Sequence, residues 1–167
     1  IRLMAIIDKP SDYFNTVLYT GNGSDDHSIT GVNFQPDFVW IKNRDDTWNH
    51  ALYDSVRTAT KKLESDTTDV EATLSNGLKS FNSDGFTFGT SGTSNASGEA
   101  NVSWNWKAGT NGSGTTTGNG TGKAYSYSVS TTSGFSIIKY VGNGTAGHTI
   151  PHHLGAVPKM IIVKDLA

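Results

Sequence analysis

Residues 14–42 read FNTVLYTGNGSDDHSITGVNFQPDFVWIK, and residues 135–164 read FSIIKYVGNGTAGHTIPHHLGAVPKMIIVK. Both stretches open with an aromatic, β-branched run and pass through a Gly-Asn-Gly turn to a matching His and Ile. Each closes, after a Pro, with an apolar run that ends in Lys. Short apolar runs bounded by turn residues are typical of β-strands. A module built of strands therefore begins twice in this chain, with a one-residue slip near Pro151.

The composition supports an all-β fold. The chain of 167 residues carries four Trp, six Tyr, seven Phe and 19 Gly. Aromatic and β-branched residues suit a pleated face, and Gly and Asn suit the tight turns between short strands. We therefore predict an antiparallel β-sandwich or jelly roll of the lectin-like kind, followed by the start of a second repeat module.

Strands are expected wherever a short alternating or continuous apolar run lies between turn residues. In the run 101–107, the side chains of Val102, Trp104 and Trp106 alternate with polar ones and are expected to face the core. Asn76-Gly77 and Asp84-Gly85 are pairs typical of hairpin turns. Residues 55–74 fit a short helix or a long charged loop. The predicted strands are Asn15–Thr20, Asp37–Asn43, Trp48–Tyr53, Phe86–Gly89, Asn101–Lys107, Tyr125–Val129, Phe135–Val141 and Lys159–Lys164.

The sequence divides into four segments. Residues 1–12 form a lead-in with Met4 as a candidate native start, and residues 13–107 form the β-sandwich module. Residues 108–123, rich in Gly and Thr, are expected to be a linker or an exposed loop. Residues 124–167 carry the strands that begin a second, truncated repeat. Either the chain is a piece of a longer array, or these last strands take the place of the first ones in a closed sheet.

Charge and cysteine content narrow the class of partner. The formal net charge is −2, with none of the basic patterning expected of a nucleic-acid-binding protein. The absence of cysteine excludes a disulfide framework and a thiolate metal site. No apolar run approaches the roughly 20 residues that span a bilayer. We therefore expect neither a nucleic-acid partner nor a membrane.

Nothing in the sequence marks a catalytic or metal centre. There is no nucleophile elbow, no phosphate-binding loop and no His-Glu-x-x-His motif. The histidines 148, 152 and 153 are read as structural or surface residues. The oxygen-rich turn at residues 22–26 lacks the ligand spacing of a calcium loop, and its second copy loses both carboxylates. We expect no catalytic residue, metal or cofactor.

A sugar-binding site is the one candidate that the residues support. Trp48 lies in a polar setting, unlike Trp104 and Trp106 in their alternating run. An aromatic face beside amide, carboxylate and guanidinium groups suits the apolar side and the hydroxyls of a sugar. The plainest interpretation is that Trp48 caps the edge of the core, with a glycan contact as the first alternative. A subunit interface, where Trp and Arg are enriched, is the second. The candidate glycan-binding residues are Trp48, Asn49, Asp46, Arg44 and Arg57.

Several motifs resemble a known family. The segments YFNTVLYTGNGS, ITGVNFQPDFVWIKNRD, LYDSVRTATKKL, SFNSDGFTFGT and ASGEANVSWNWKAG resemble a repeat domain of unknown function in the virion proteins of marine and aquatic tailed phages. The resemblance implies a virion protein of the tail-fibre, spike or capsid-decoration kind, assembled with other virion proteins. It brings no catalytic residues to this chain.

Two classes of function follow from these observations. The first is a non-catalytic virion structural protein, a homo-oligomer with host surface polysaccharide as its candidate ligand. The second is a polysaccharide depolymerase or other glycan hydrolase on a jelly-roll scaffold. A cellular surface adhesin that carries the same module fits the residues as well as a virion protein does.

Overall fold

The computed structural model describes residues 7–167, so the candidate start at Met4 and the first half of the lead-in lie outside the described residues. The chain begins with a 3₁₀ helix at Pro10–Asp12, and its one α-helix among the described residues, α1, spans Gly92–Asn95. The strands are β1 Phe14–Thr20, β2 His27–Ile29, β3 Phe38–Asn43, β4 Ala51–Asp54, β5 Thr58–Leu63, β6 Ala72–Thr73, β7 Leu78–Asn82, β8 Gly85–Phe88, β9 Ala100–Trp106, β10 Thr110–Thr115, β11 Thr117–Gly118, β12 Ala124–Ser130, β13 Phe135–Tyr140 and β14 His148–Thr149.

The first nine strands form an antiparallel β-sandwich, which confirms the predicted all-β class. A six-stranded sheet in the order β1-β9-β3-β4-β5-β6 faces a three-stranded sheet in the order β2-β8-β7. The apolar core lies between them and excludes water from both inner faces. Its buried residues are Ile29, Val32, Phe34, Val39, Ile41, Ala51, Tyr53, Leu78, Phe86 and Phe88.

The orientation of β9 is the reverse of the predicted one. Asn101, Ser103 and Asn105 point into the sandwich and are fully buried, whereas Trp104 and Trp106 lie on the outer face and are half-buried. The Nδ2 atoms of Asn101 and Asn105 donate to backbone carbonyls, whereas their buried Oδ1 atoms have no hydrogen-bond partner among the described residues. The Nδ2 atom of Asn105, for example, donates to the carbonyl of Asn15 at 3.1 Å.

Half of the Gly- and Thr-rich segment 108–123 is strand, because it contains β10 and β11. β10 pairs with β12, and this pairing places Gly112 opposite Tyr127 and Gly114 opposite Tyr125. A Cβ atom built on either glycine would meet the opposing tyrosine ring at under 3 Å. The tyrosine rings thus lie directly on the glycine backbone, which compensates the missing side chains of β10.

The sheet β10-β12-β13 packs on one end of the outer face of the sandwich. The ring of Phe135 in β13 stacks on Trp106 with centroids 5.9 Å apart and also contacts Phe38. The buried carboxylate of Asp37 accepts hydrogen bonds from the Ala108 amide at 2.8 Å and from Ser128 at 3.4 Å. These contacts fix the sheet β10-β12-β13 on the sandwich.

Four other expectations differ from the structure. The loosely patterned segment 55–74 contains β5, a loop and β6 instead of a helix, as its β-branched residues allow. The strand predicted at residues 48–53 begins at Ala51, because Trp48 lies in the preceding loop. No strand forms at Lys159–Lys164. β13 does not take the place of β1, since each lies in its own sheet.

Neither helix in the described part of the chain has the length or the apolar character needed to cross a bilayer.

Candidate functional site

The loop that joins β3 to β4 carries the most exposed tryptophan. We call residues 44–50 the Trp48 loop. The Trp48 side chain is 45% exposed, although a tryptophan buries a large apolar area when it packs in a core. Asp46, Thr47, Trp48 and Asn49 line a shallow open depression at this position. The structure thus presents the indole and three polar side chains together on one surface.

One side of the Trp48 loop is held by the buried end of β3. The Oδ1 atom of Asn43 accepts hydrogen bonds from the backbone amides of Asp45 at 2.9 Å and Asp46 at 2.8 Å. Asp45 in turn accepts from the amide of Ala100 on β9 at 2.6 Å. Because Asn43 is fully buried, these bonds fix the backbone that leads to Trp48.

The other side of the loop is held by Glu64. Its carboxylate accepts from Asn49 Nδ2 at 2.9 Å and from the ammonium of Lys62 at 2.6 Å. Burial alone would raise the pKa of Glu64, but the hydrogen bonds from Lys62, Asn49 and Thr67 outweigh it and lower the pKa below its usual value. The carboxylate is therefore ionised at neutral pH and its position is fixed.

A second open depression begins at Glu64. It is lined by Lys62, Glu64, Thr68, Asp69, Val70 and Ala72, which belong to β5, β6 and the loop between them. The hydrogen bond from Asn49 to Glu64 joins this depression to the one beside Trp48. Together they form a polar surface with an aromatic group at one end and both signs of charge at the other.

The outer face of the six-stranded sheet borders the same loop. We call the group Phe14, Phe38, Trp40, Trp104 and Trp106 the aromatic face. Trp40 donates from its indole nitrogen to His50 at 2.7 Å, and Lys42 donates to the Asp46 carbonyl at 3.0 Å. Sequence reasoning missed this face because it placed Trp104 and Trp106 in the core. The sequence did carry a signal for the aromatic face, because the side chains on both faces of β9 are of types that can be buried.

The structure brings together four of the five candidate glycan-binding residues. Arg44, Asp46, Trp48 and Asn49 all lie in the Trp48 loop, and the amide of Arg44 is paired with the Ala100 carbonyl at 2.8 Å. Arg57 is elsewhere.

Arg57 is buried, and its guanidinium is used by other residues. It forms ion pairs with Asp54 and with Glu71, the latter at 3.1 Å, and also donates to the carbonyls of Leu52 and Lys61. An arginine in such a network holds neighbouring segments together, and four of the five N–H donors of this guanidinium bond to protein groups. The structure therefore places Arg57 in a structural ion-pair network outside the Trp48 loop.

The residues considered for metal binding, in the turn 22–26 and among the histidines, contact other protein groups. Lys79 forms ion pairs with Asp25 and Asp26 in the oxygen-rich turn. Its ammonium lowers the pKa of Asp25. His148 contacts Asn143 at 2.8 Å, and His153 stacks on Tyr127 with centroids 3.8 Å apart. Among residues 7–167 no group of three His, Cys, Asp or Glu side chains is arranged to hold a metal ion.

The geometry defines a class of protein: an all-β sandwich with a rigid, exposed tryptophan loop beside a charged open surface. A family model described as a domain of unknown function (DUF7483) matches residues 9–167. The chain therefore belongs to this family. No curated protein and no solved structure showed significant similarity to it.

Proposed function

We propose that the protein is a non-catalytic structural and adhesive module of a bacteriophage virion, in a tail fibre, a spike or a capsid decoration. In this proposal it binds host surface glycans through the Trp48 loop. The observation that carries the glycan-binding part is the exposed indole of Trp48, on a loop that is held by Asn43 on one side and by Glu64 on the other. The virion part is supported by the sequence resemblance described above.

An aromatic side chain on a fixed loop suits sugar recognition for a physical reason. Binding must order loops and side chains, which costs about 0.5–1.5 kcal/mol for each side chain, and the loop part of the cost is smaller when the loop is already held. Tyrosine and tryptophan provide large contact areas with few rotatable bonds. Asp46 and Asn49, in the same depression as Trp48, supply a carboxylate and an amide for sugar hydroxyls.

The charged depression that begins at Glu64 extends this surface. A polysaccharide longer than one sugar unit could continue from Trp48 across Asn49 towards Lys62 and Asp69. Both signs of charge are present there, so neutral or mixed-charge polysaccharides are better suited than strongly anionic ones.

Other virion proteins and further copies of this chain are the proposed partners. One shallow depression binds weakly by itself, because affinity depends on well-packed, desolvated contacts. Linked copies raise avidity by roughly 10²–10⁴ without any new contact. A particle that displays many copies would therefore retain a host cell by individually weak contacts.

Two measurements test this proposal. Quantitative mass spectrometry and immunogold labelling of purified particles should find the protein on the particle, and its absence there would overturn the virion assignment. Incubation of the purified protein with host capsular polysaccharide should produce binding and no new reducing ends. New reducing ends would favour the glycan hydrolase instead.

A further inference from the structure

Ring contacts from the sheet β10-β12-β13 reach one end of the aromatic face. Phe135 contacts Trp106 and Phe38, which lie opposite each other in the pairing of β9 with β3. Trp104 and Trp40 form the next outward-facing pair along the same two strands. Both are only half-buried, and neither contacts an aromatic ring of that sheet within the part of the chain that the structure describes. An aromatic surface therefore remains accessible beside the covered end.

Trp40 joins this surface to the Trp48 loop. Its ring meets the ring of Trp104 edge-on with centroids 6.4 Å apart, and it meets the ring of His50 in the same way at 5.7 Å. Such edge-to-face arrangements are favoured between aromatic rings. We call Trp40, His50 and Trp104 the Trp40 cluster. Because His50 ends the Trp48 loop, the cluster is continuous with the candidate glycan site.

The polar atoms that the cluster leaves free are hydrogen-bond donors. The indole nitrogen of Trp104 can only donate, and neutral His50 carries its ring proton on Nε2 because its Nδ1 accepts from Trp40. Neither N–H group has a protein partner within residues 7–167, and neither belongs to the fully buried atoms that lack one. The cluster thus presents N–H donors on an aromatic surface, and no side-chain acceptor.

We infer that the Trp40 cluster binds the acetamido group of an N-acetylated amino sugar, so that the ligand of the Trp48 loop is a polysaccharide that contains such sugars. An acetamido group combines a carbonyl oxygen, which only accepts, with a methyl group that packs on aromatic rings. In this arrangement His50 Nε2 donates to the carbonyl and the methyl group lies on the indoles of Trp40 and Trp104. The assignment of this ligand rests on the proposed function, since His50 is part of the Trp48 loop.

A carboxylate fits the cluster less well than a neutral carbonyl. A charged group would lose its hydration against three aromatic rings, which is costly. It would also lie near the carboxylate of Asp66, whose Oδ1 accepts from the backbone amide of His50 at 3.1 Å. Lys42, the next outward-facing residue of β3, already donates to the carbonyls of Asn43 and Asp46. A neutral acceptor with an apolar group attached therefore suits this surface best.

Chemical modification of the polysaccharide tests the inference. Host capsular polysaccharide is used intact, after alkaline de-N-acetylation and after re-N-acetylation with acetic anhydride, and its affinity is measured by titration calorimetry. We expect the affinity to fall about tenfold or more on de-N-acetylation, because one hydrogen bond and one methyl contact are lost. Re-N-acetylation should restore the affinity, which excludes damage to the polymer as the cause.

The variant His50→Asn tests the assigned contact. The Oδ1 atom of asparagine can still accept from Trp40, whereas the outer N–H donor of the imidazole is lost. We expect roughly two- to twelvefold weaker binding to the N-acetylated polysaccharide, the range for one hydrogen bond, and unchanged binding to the de-N-acetylated form. His152→Asn is the matched control, because His152 Nδ1 also accepts a hydrogen bond but lies in another segment; it should bind both forms as the intact protein does.

Three outcomes would overturn the inference. Affinity that is unchanged by de-N-acetylation would remove the acetamido contact and leave glycan binding by the Trp48 loop standing. Equal weakening of both polysaccharide forms by His50→Asn would show that His50 only holds the loop. Failure of the intact protein to bind any host polysaccharide would overturn the proposed function together with this ligand.

Discussion

The indole nitrogen of Trp40 donates a 2.7 Å hydrogen bond to Nδ1 of His50. Trp40 belongs to the aromatic face of the six-stranded sheet, and His50 ends the Trp48 loop. Because the indole can only donate, His50 Nδ1 must be the acceptor, so the ring proton of neutral His50 lies on Nε2. The bond therefore joins the rigid sheet to the loop that carries the candidate glycan contact.

Trp48→Ala should abolish binding to host polysaccharide and leave the fold intact. The side chain is largely exposed, so we expect the free energy of unfolding to change by less than about 0.5 kcal/mol. Titration calorimetry measures the binding and urea denaturation the stability. Leu18→Ala is the matched control, because Leu18 is an exposed apolar residue on the far edge strand and should bind normally. Equal loss of binding in both variants would remove the Trp48 loop from the account.

The two arginines of the original candidate set should behave differently. Arg57→Met leaves the buried carboxylate of Asp54 without its partner, and breaking a buried ion pair in this way typically costs about 3–5 kcal/mol. Arg44→Met, at an exposed position, should change stability little and weaken polysaccharide binding. Urea denaturation and binding measured on both variants separate the two roles. A stable Arg57→Met protein that no longer binds would return Arg57 to the ligand site.

Gly112→Ala should destabilise the sheet β10-β12-β13. The new methyl group would press into the ring of Tyr127, and overpacking of this kind costs about 1–3 kcal/mol. Gly142→Ala is the matched control because its Cβ would meet open space. The double variant Gly112→Ala, Tyr127→Ala should show a coupling energy in a thermal-unfolding cycle, since the clash needs both side chains. Strictly additive effects would mean that the ring does not lie on the glycine.

The pH dependence of stability should include a contribution from Glu64. Its pKa in the folded protein lies below the unfolded value, near 4.5, so its ion pair and hydrogen bonds stabilise the fold above that pH. This stability is lost as the pH falls through the folded pKa. We expect Glu64→Gln to cost about 1–2 kcal/mol at pH 7 and to flatten the loss of stability towards acid pH. An unchanged acid limb in the variant, measured by urea denaturation from pH 3 to pH 7, would contradict this role.

Local patterns were sufficient to predict the fold class and half of the strands in the described residues. The runs that became β1, β3, β9, β12 and β13 are short, rich in β-branched and aromatic residues, and bounded by turn residues. Alternation does not say which set of side chains faces the core when both faces of a strand are covered. This is why Trp104 and Trp106 were assigned to the wrong side of β9.

Long-range partners account for the other differences. The glycines of β10 read as a flexible linker because the tyrosines that cover them lie on another strand. Likewise, Arg57 reads as a surface charge until its partner Glu71 is brought beside it by the pairing of β5 with β6. The grouping of Trp48 with Asp46 and Asn49 was predictable, because all three belong to one short loop.

Binding of the protein to an array of printed bacterial surface polysaccharides is the most direct test of glycan recognition by the Trp48 loop. The intact protein and Trp48→Ala are compared at equal concentration, with folding of both verified by circular dichroism. We expect the intact protein to bind at least one polysaccharide and Trp48→Ala to lose that signal. Binding that survives in Trp48→Ala, or no binding by the intact protein to polysaccharides of its host, would contradict it.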